Sequence, residues 1–69
     1  MRDSRRRLTF LQEGVIERLR ARGFMDVADA AHAAWSNGHR LETPEVLRIG
    51  GPALLRDFER ANEQARAIT

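Results

Sequence analysis

The chain has 69 residues, enough for one small domain, and its formal net charge is +2. A domain of this size buries only about 60% of the surface its unfolded chain exposes, so its stability is marginal. It has no cysteine, which excludes disulfides, thiolate chemistry and cysteine-ligated zinc. Hydrophobic residues make up 42% of the chain, and ten of them are alanine. So thin a core leads us to expect support from a partner, with a homodimer foremost.

Charge is unevenly spread. Residues 1–22 carry seven arginines against three acids, a net of +4, whereas residues 23–69 carry five against seven, a net of −2. That asymmetry points to an anionic partner for the N-terminal part. All twelve basic residues are arginine, whose planar fork suits phosphate and carboxylate.

The first stretch, MRDSRRR, reads as a flexible basic arm over residues 1–7. It could pass for the basic start of a secretion signal, but the following LTFLQEGVIERL is broken by Gln12 and Glu13 and has no small-residue cleavage site. No apolar run approaches the ~20 residues needed to span a bilayer. The expected compartment is the cytoplasm.

A first helix is expected over about 9–22. Leu8, Leu11, Val15 and Leu19 fall on one stripe of a 3.6-residue repeat, with Ile16 on its flank. Phe10 points nearly opposite. Thr9 is then the N-cap, with Gln12 reaching back, and Gly23 followed by Phe24 closes the far end. Read instead as a strand, residues 5–10 put Leu8 and Phe10 on one face and Arg5, Arg7 and Thr9 on the other. In that reading residues 5–37 resemble a ribbon-helix-helix DNA-binding protein. The resemblance implies paired strands of a dimer in the major groove. The pattern departs from this family at the strand-to-helix turn, where LQEGV places Gly14 inside the helix.

A second helix is expected over about 27–37, with Asp26 as N-cap and Asp29 at N3, ending at Gly38. Val27, Ala30, Ala31 and Ala34 share a face with Trp35 at its edge, and so small a face lets a neighbour approach closely. A short helical turn follows near 44–49, with Thr43 as N-cap and Pro44 at N1, turning Val46 and Ile49 inward. The third main helix spans about 52–67. Leu54, Phe58, Ala61, Ala65 and Ile68 form a heptad-like seam that Leu55 widens. The expected fold is all-α, a bundle of three main helices plus the short turn.

Gly50-Gly51-Pro52 invites comparison with a phosphate loop. Neither G-x-x-x-x-G-K-[ST] nor G-x-G-x-x-G is present, and Pro52 removes an amide where an anion would want a donor. The segment therefore reads as a helix break: Gly50 ends one helix and Pro52 starts the next.

Asp29, His32 and Ser36 spell a triad along the polar side of the second helix. A triad needs a convergent, water-excluded site with an oxyanion hole, which one helix face does not supply. His32 and His39 lack ligand spacing, and His39 suits a helix C-terminus. The charges on the last helix read as i,i+3 pairs, namely Arg56–Glu59, Asp57–Arg60, Arg60–Glu63 and Glu63–Arg66. We therefore expect no catalytic, metal or cofactor site.

What remains is binding. Aromatic residues and arginine dominate interface hot spots, which singles out Phe10, Arg18, Arg22 and Trp35 as partner-binding candidates, although Trp35 could equally complete the core. The function expected is a small regulator, adaptor or inhibitor that binds another protein. The alternative is a DNA-binding regulator that contacts phosphates through Arg2, Arg5, Arg6 and Arg7.

Overall fold

The computed structural model describes residues 7–67. They form four helices: α1 (Phe10–Ala21), α2 (Met25–Ser36), α3 (Glu45–Gly50) and α4 (Pro52–Ala67). Three main helices and a short one match the all-α expectation. No strand occurs among the described residues. The strand reading of residues 5–10 is overturned where it can be seen, because Phe10 is already the first residue of α1.

The start of α1 is set by a capping box. The Gln12 amide donates to Thr9 Oγ1 (3.1 Å) while the Thr9 amide donates to Gln12 Oε1 (2.9 Å), so two otherwise orphaned N–H groups satisfy each other's residues. At the other end Gly23 takes φ +86°, a conformation that costs glycine little. Its amide donates to Arg20 O (3.0 Å) and that of Phe24 to Leu19 O (2.9 Å). These two bonds form a Schellman turn.

That turn is so tight that α2 begins sooner than expected. Phe24 occupies the N-cap position and its carbonyl accepts from Ala28 N (3.0 Å). Asp26 therefore lies inside the first turn, where it complements the dipole instead of capping. A second Schellman turn ends α2 at Gly38 (φ +75°), with His39 N donating to Ala34 O (2.8 Å). Pro44, expected at N1 of α3, is its N-cap, and the helix starts at Glu45. Gly51 (φ +150°) separates α3 from Pro52, the first residue of α4. The Gly50-Gly51-Pro52 segment is thus a helix break.

Helices α1 and α4 run antiparallel. Going forward along α1, Thr9, Gln12 and Arg18 meet Gln64, Ala61 and Asp57 in turn, and Arg22 lies over Gly51. The core between them holds Val15, Ile16 and Leu19 of α1, Ala28, Ala31 and Trp35 of α2, Leu47 of α3, and Leu54, Phe58, Ala61 and Ala65 of α4. The α4 seam matches its expected residues; Leu55 is partly buried beside it, and Ile68 lies outside the described residues.

Two helices are turned differently from expectation. In α2 the buried line is Ala28, Ala31 and Trp35, while Ala30 is exposed. Trp35 lies at the centre of the face because its bulk and its N–H both need α4: its ring meets Phe58 at 5.4 Å between centroids. In α3 the inward residue is Leu47; Val46 is partly exposed and Ile49 is 82% exposed. A six-residue helix packed on α4 alone has room for one buried anchor.

Candidate functional site

The outer face of α1 carries an open groove of about 720 Å³, bounded by Leu8, Phe10, Glu13, Gly14, Ile16, Glu17, Arg20 and, from α2, His32. Its origin is helical geometry. Val15 and Leu19 are drawn into the core, so Phe10, Glu13, Glu17 and Arg20, at i, i+3, i+7 and i+10, form a stripe on the other side. Ile16 supplies the floor and His32 the far wall.

Phe10 is 93% exposed. One turn further along, Gly14 leaves a hollow beside it: a Cβ added there would meet no atom within 4 Å. Arg20 at the far end leans toward Asp29 of α2 (3.5 Å). The site is therefore an aromatic knob next to a dimple, with two acids and an arginine along the rim.

The other partner-binding candidates lie elsewhere. Arg18 donates to Asp57 Oδ2 at 2.7 Å and ties α1 to α4 with its side chain 42% exposed. Arg22 reaches over Gly51, with Nη1 3.7 Å from where a Cβ would stand. Trp35 is 1% exposed; it is a core residue and offers no surface to a partner in this fold. Phe10 alone of the four lines the groove.

Of the nucleic-acid candidates, Arg7 is exposed just ahead of α1, and Arg2, Arg5 and Arg6 lie outside the described residues. Arg18, Arg20 and Arg22 face different neighbours and make no continuous basic stripe.

Asp29, His32 and Ser36 lie along one side of α2 but in different surroundings. Asp29 pairs with Arg20, His32 is in the groove wall, and Ser36 is buried at 4% exposure. Asp57, expected to pair with Arg60, instead meets Arg18 across the bundle; among the described residues both ion pairs are between helices. The expected Glu63–Arg66 pair ends on a side chain outside those described. No group of three or more His, Asp or Glu gathers at metal-binding distance among the described residues.

Two polar residues hold the bundle together: Asn62, which the pattern of the sequence did not single out, and Gln12, which it singled out only for the cap. Asn62 (2% exposed) accepts from Trp35 Nε1 (2.8 Å) and Leu41 N (3.0 Å), and donates to Leu41 O (2.7 Å). Gln12 (1% exposed) donates to Ala61 O (3.0 Å) while serving the Thr9 cap, and the Thr9 hydroxyl in turn donates to Gln64. The available signal was position: Asn62 sits four residues after Phe58 and three before Ala65, beside the apolar seam.

Compared with known proteins, the chain matches no family model, no curated protein and no solved structure.

Proposed function

We propose that this chain is a non-enzymatic regulator, adaptor or inhibitor that acts by binding another protein through the α1 groove. The observation that carries the reading is Phe10, an aromatic side chain left 93% exposed beside an open dimple. Burying such a side chain is worth about 1.5–3 kcal/mol, a gain that folding of the monomer forgoes and docking can collect. Glu13, Glu17 and Arg20 along the rim would set approach and register more than affinity. The burial of Ser36 and the pairing of Asp29 with Arg20 in place of His32 support the non-enzymatic part of the reading. No helix among the described residues is long and apolar enough to cross a membrane, and the proposed place of action is the cytoplasm.

A second reading, phosphate binding by Arg2, Arg5, Arg6 and Arg7, draws support from the +4 balance of residues 1–22 and from the exposure of Arg7. One experiment separates the two. Affinity purification from source cells would use three baits: the unaltered chain, Phe10→Ala, and the triple Arg5→Ala, Arg6→Ala, Arg7→Ala variant. The protein-binding reading expects a partner retained by the triple variant and lost from Phe10→Ala. Partners indifferent to Phe10 would sink it. Duplex DNA binding that weakens steeply with salt and vanishes in the triple variant would establish the second reading.

A further inference from the structure

The chain carries two asparagines, Asn37 and Asn62, and their surroundings are opposite. Asn62 is 2% exposed within α4, with both polar atoms of its amide engaged. Asn37 is exposed in the turn that ends α2, and the residue after it is Gly38. We propose that Asn37-Gly38 is a modification site, where the chain deamidates itself to aspartate and isoaspartate with water as the only co-reactant, and that the last turn of α2 gates the reaction.

The chemistry needs no catalyst. Asparagine is a thermolabile residue, because the main-chain nitrogen that follows it can attack the side-chain carbonyl carbon. Here a bond forms between Gly38 N and Asn37 Cγ, the Cγ–Nδ2 bond breaks, and ammonia leaves with the proton from Gly38 N. The resulting succinimide ring then takes up one water. Opening at Cγ leaves aspartate in an ordinary main chain. Opening at the main-chain carbonyl carbon leaves the chain running through Cγ, which is isoaspartate. Gly38 has no Cβ to shield its nitrogen, and the exposure of Asn37 admits water.

The folded turn holds the reacting atoms apart. Asn37 has ψ 7°, so Gly38 N is nearly eclipsed with the main-chain nitrogen of Asn37 instead of with Cβ. Ring closure therefore requires rotation about the Asn37 Cα–C bond. Three hydrogen bonds oppose it. Gly38 N donates to Trp35 O (3.0 Å) and His39 N to Ala34 O (2.8 Å), while Nδ2, the group that must leave, donates to Ala33 O (2.8 Å). All three lie at a helix end, which opens locally at less cost than the core. The reaction is slow in the folded chain and proceeds through fraying of this turn. Its product resists reclosure. A new carboxylate stands at the C-terminal end of α2, where the dipole disfavours an anion, and it has no N–H for Ala33 O. Isoaspartate also adds a methylene to the main chain inside a Schellman turn whose bonds need a fixed register.

Peptide mass spectrometry tests the proposal on the full chain, kept for weeks in native buffer and in guanidinium. Cleavage after arginine puts the two asparagines on separate peptides, 23–40 and 61–66, and chromatography resolves isoaspartyl from aspartyl forms. In native buffer Asn37 is expected to convert, with isoaspartate in excess, while Asn62 stays intact. Conversion should quicken as pH rises, because the attacking amide must lose its proton. In guanidinium Asn37 should convert at least about tenfold faster, the three bonds no longer opposing rotation. Asn37→Gln, whose longer side chain closes a larger ring, should leave residue 37 unconverted in both solvents. An intact Asn37 in native buffer overturns the proposal, as does aspartate without isoaspartate, the mark of direct hydrolysis. Equal rates in the two solvents overturn the gate, and Asn62 keeping pace with Asn37 in native buffer overturns the choice of site.

Discussion

Asn62→Ala is expected to cost this small bundle much of its stability. Asn62 and Trp35 are 2% and 1% exposed, and three hydrogen bonds of 2.7–3.0 Å link Asn62 to the Trp35 indole and to both polar groups of the Leu41 backbone. Truncation strands the indole N–H in a dry site, where an unsatisfied buried donor costs about 1–3 kcal/mol. The Leu41 groups are only part-buried, so water can replace Asn62 there at a cost of about 1 kcal/mol. The sum is about 3 kcal/mol. At roughly 0.05–0.15 kcal/mol per residue the whole domain has about 3.5–10 kcal/mol, so a third or more is removed, with a fall in Tm of roughly 15 °C. Urea titration followed by circular dichroism measures the loss. Trp35→Phe supplies the control, since it keeps a ring against Phe58 but has no N–H to strand. In that background Asn62→Ala should cost about 1–2 kcal/mol less. A loss below about 1 kcal/mol for the single variant, or coupling below about 0.3 kcal/mol in the cycle, would refute the assignment of Asn62 as the pin between α2, α4 and the loop at Leu41.

Three further substitutions probe separate parts of the fold by thermal melts. Gly14→Ala should raise stability by about 0.5–1 kcal/mol, because the added Cβ meets nothing within 4 Å and alanine is the better helix former; a loss would mean the position is not open. Thr9→Ala should cost about 1–2 kcal/mol through loss of the N-cap, and an unchanged melt would argue against the capping box. Leu47→Ala should cost about 2–3 kcal/mol, whereas Ile49→Ala, at a position 82% exposed, should change stability by less than about 0.5 kcal/mol; equal losses would mean that α3 is turned the other way.

Features set by local backbone chemistry were legible from the chain alone. The Thr9–Gln12 capping box, the glycine turns at Gly23 and Gly38, and the proline start of α4 each involve residues within a few positions of one another. So was the α4 seam, whose 16 residues cover more than four turns. What could not be read was rotation where the pattern is degenerate. Helix α2 has alanine at 28, 30, 31, 33 and 34, so several faces are equally able to pack. The tie is broken by Trp35 finding Asn62 and Phe58 on α4, which is tertiary information. Helix α3 offers Val46, Leu47 and Ile49 within six residues, too short a run for periodicity to choose among them. The same limit applied to the site. Phe10 stood out because it points away from the Leu11–Val15–Leu19 stripe, but His32 as the opposite wall needed the α1–α2 packing, and Arg18 as a clamp needed Asp57 placed across from it.

The exposure of Phe10 follows from how firmly α1 is held. Phe10 and Gln12 are two positions apart, about 200° around a helix at 3.6 residues per turn, so whatever faces Gln12 inward faces Phe10 outward. Gln12 is held inward by its side-chain bond to Ala61 O of α4, and Thr9, tied to Gln12 in the capping box, donates to Gln64 of the same helix. Rolling α1 far enough to bury Phe10 would break the bonds to Ala61 and Gln64 and lift Val15 and Leu19, both 0% exposed, from the core. Each lifted side chain would forfeit about 1.5–3 kcal/mol, together more than one buried phenylalanine returns. Rotation of α1 therefore gives the described residues no inexpensive way to hide Phe10. That is the physical reason for reading the α1 groove as a surface made to be covered.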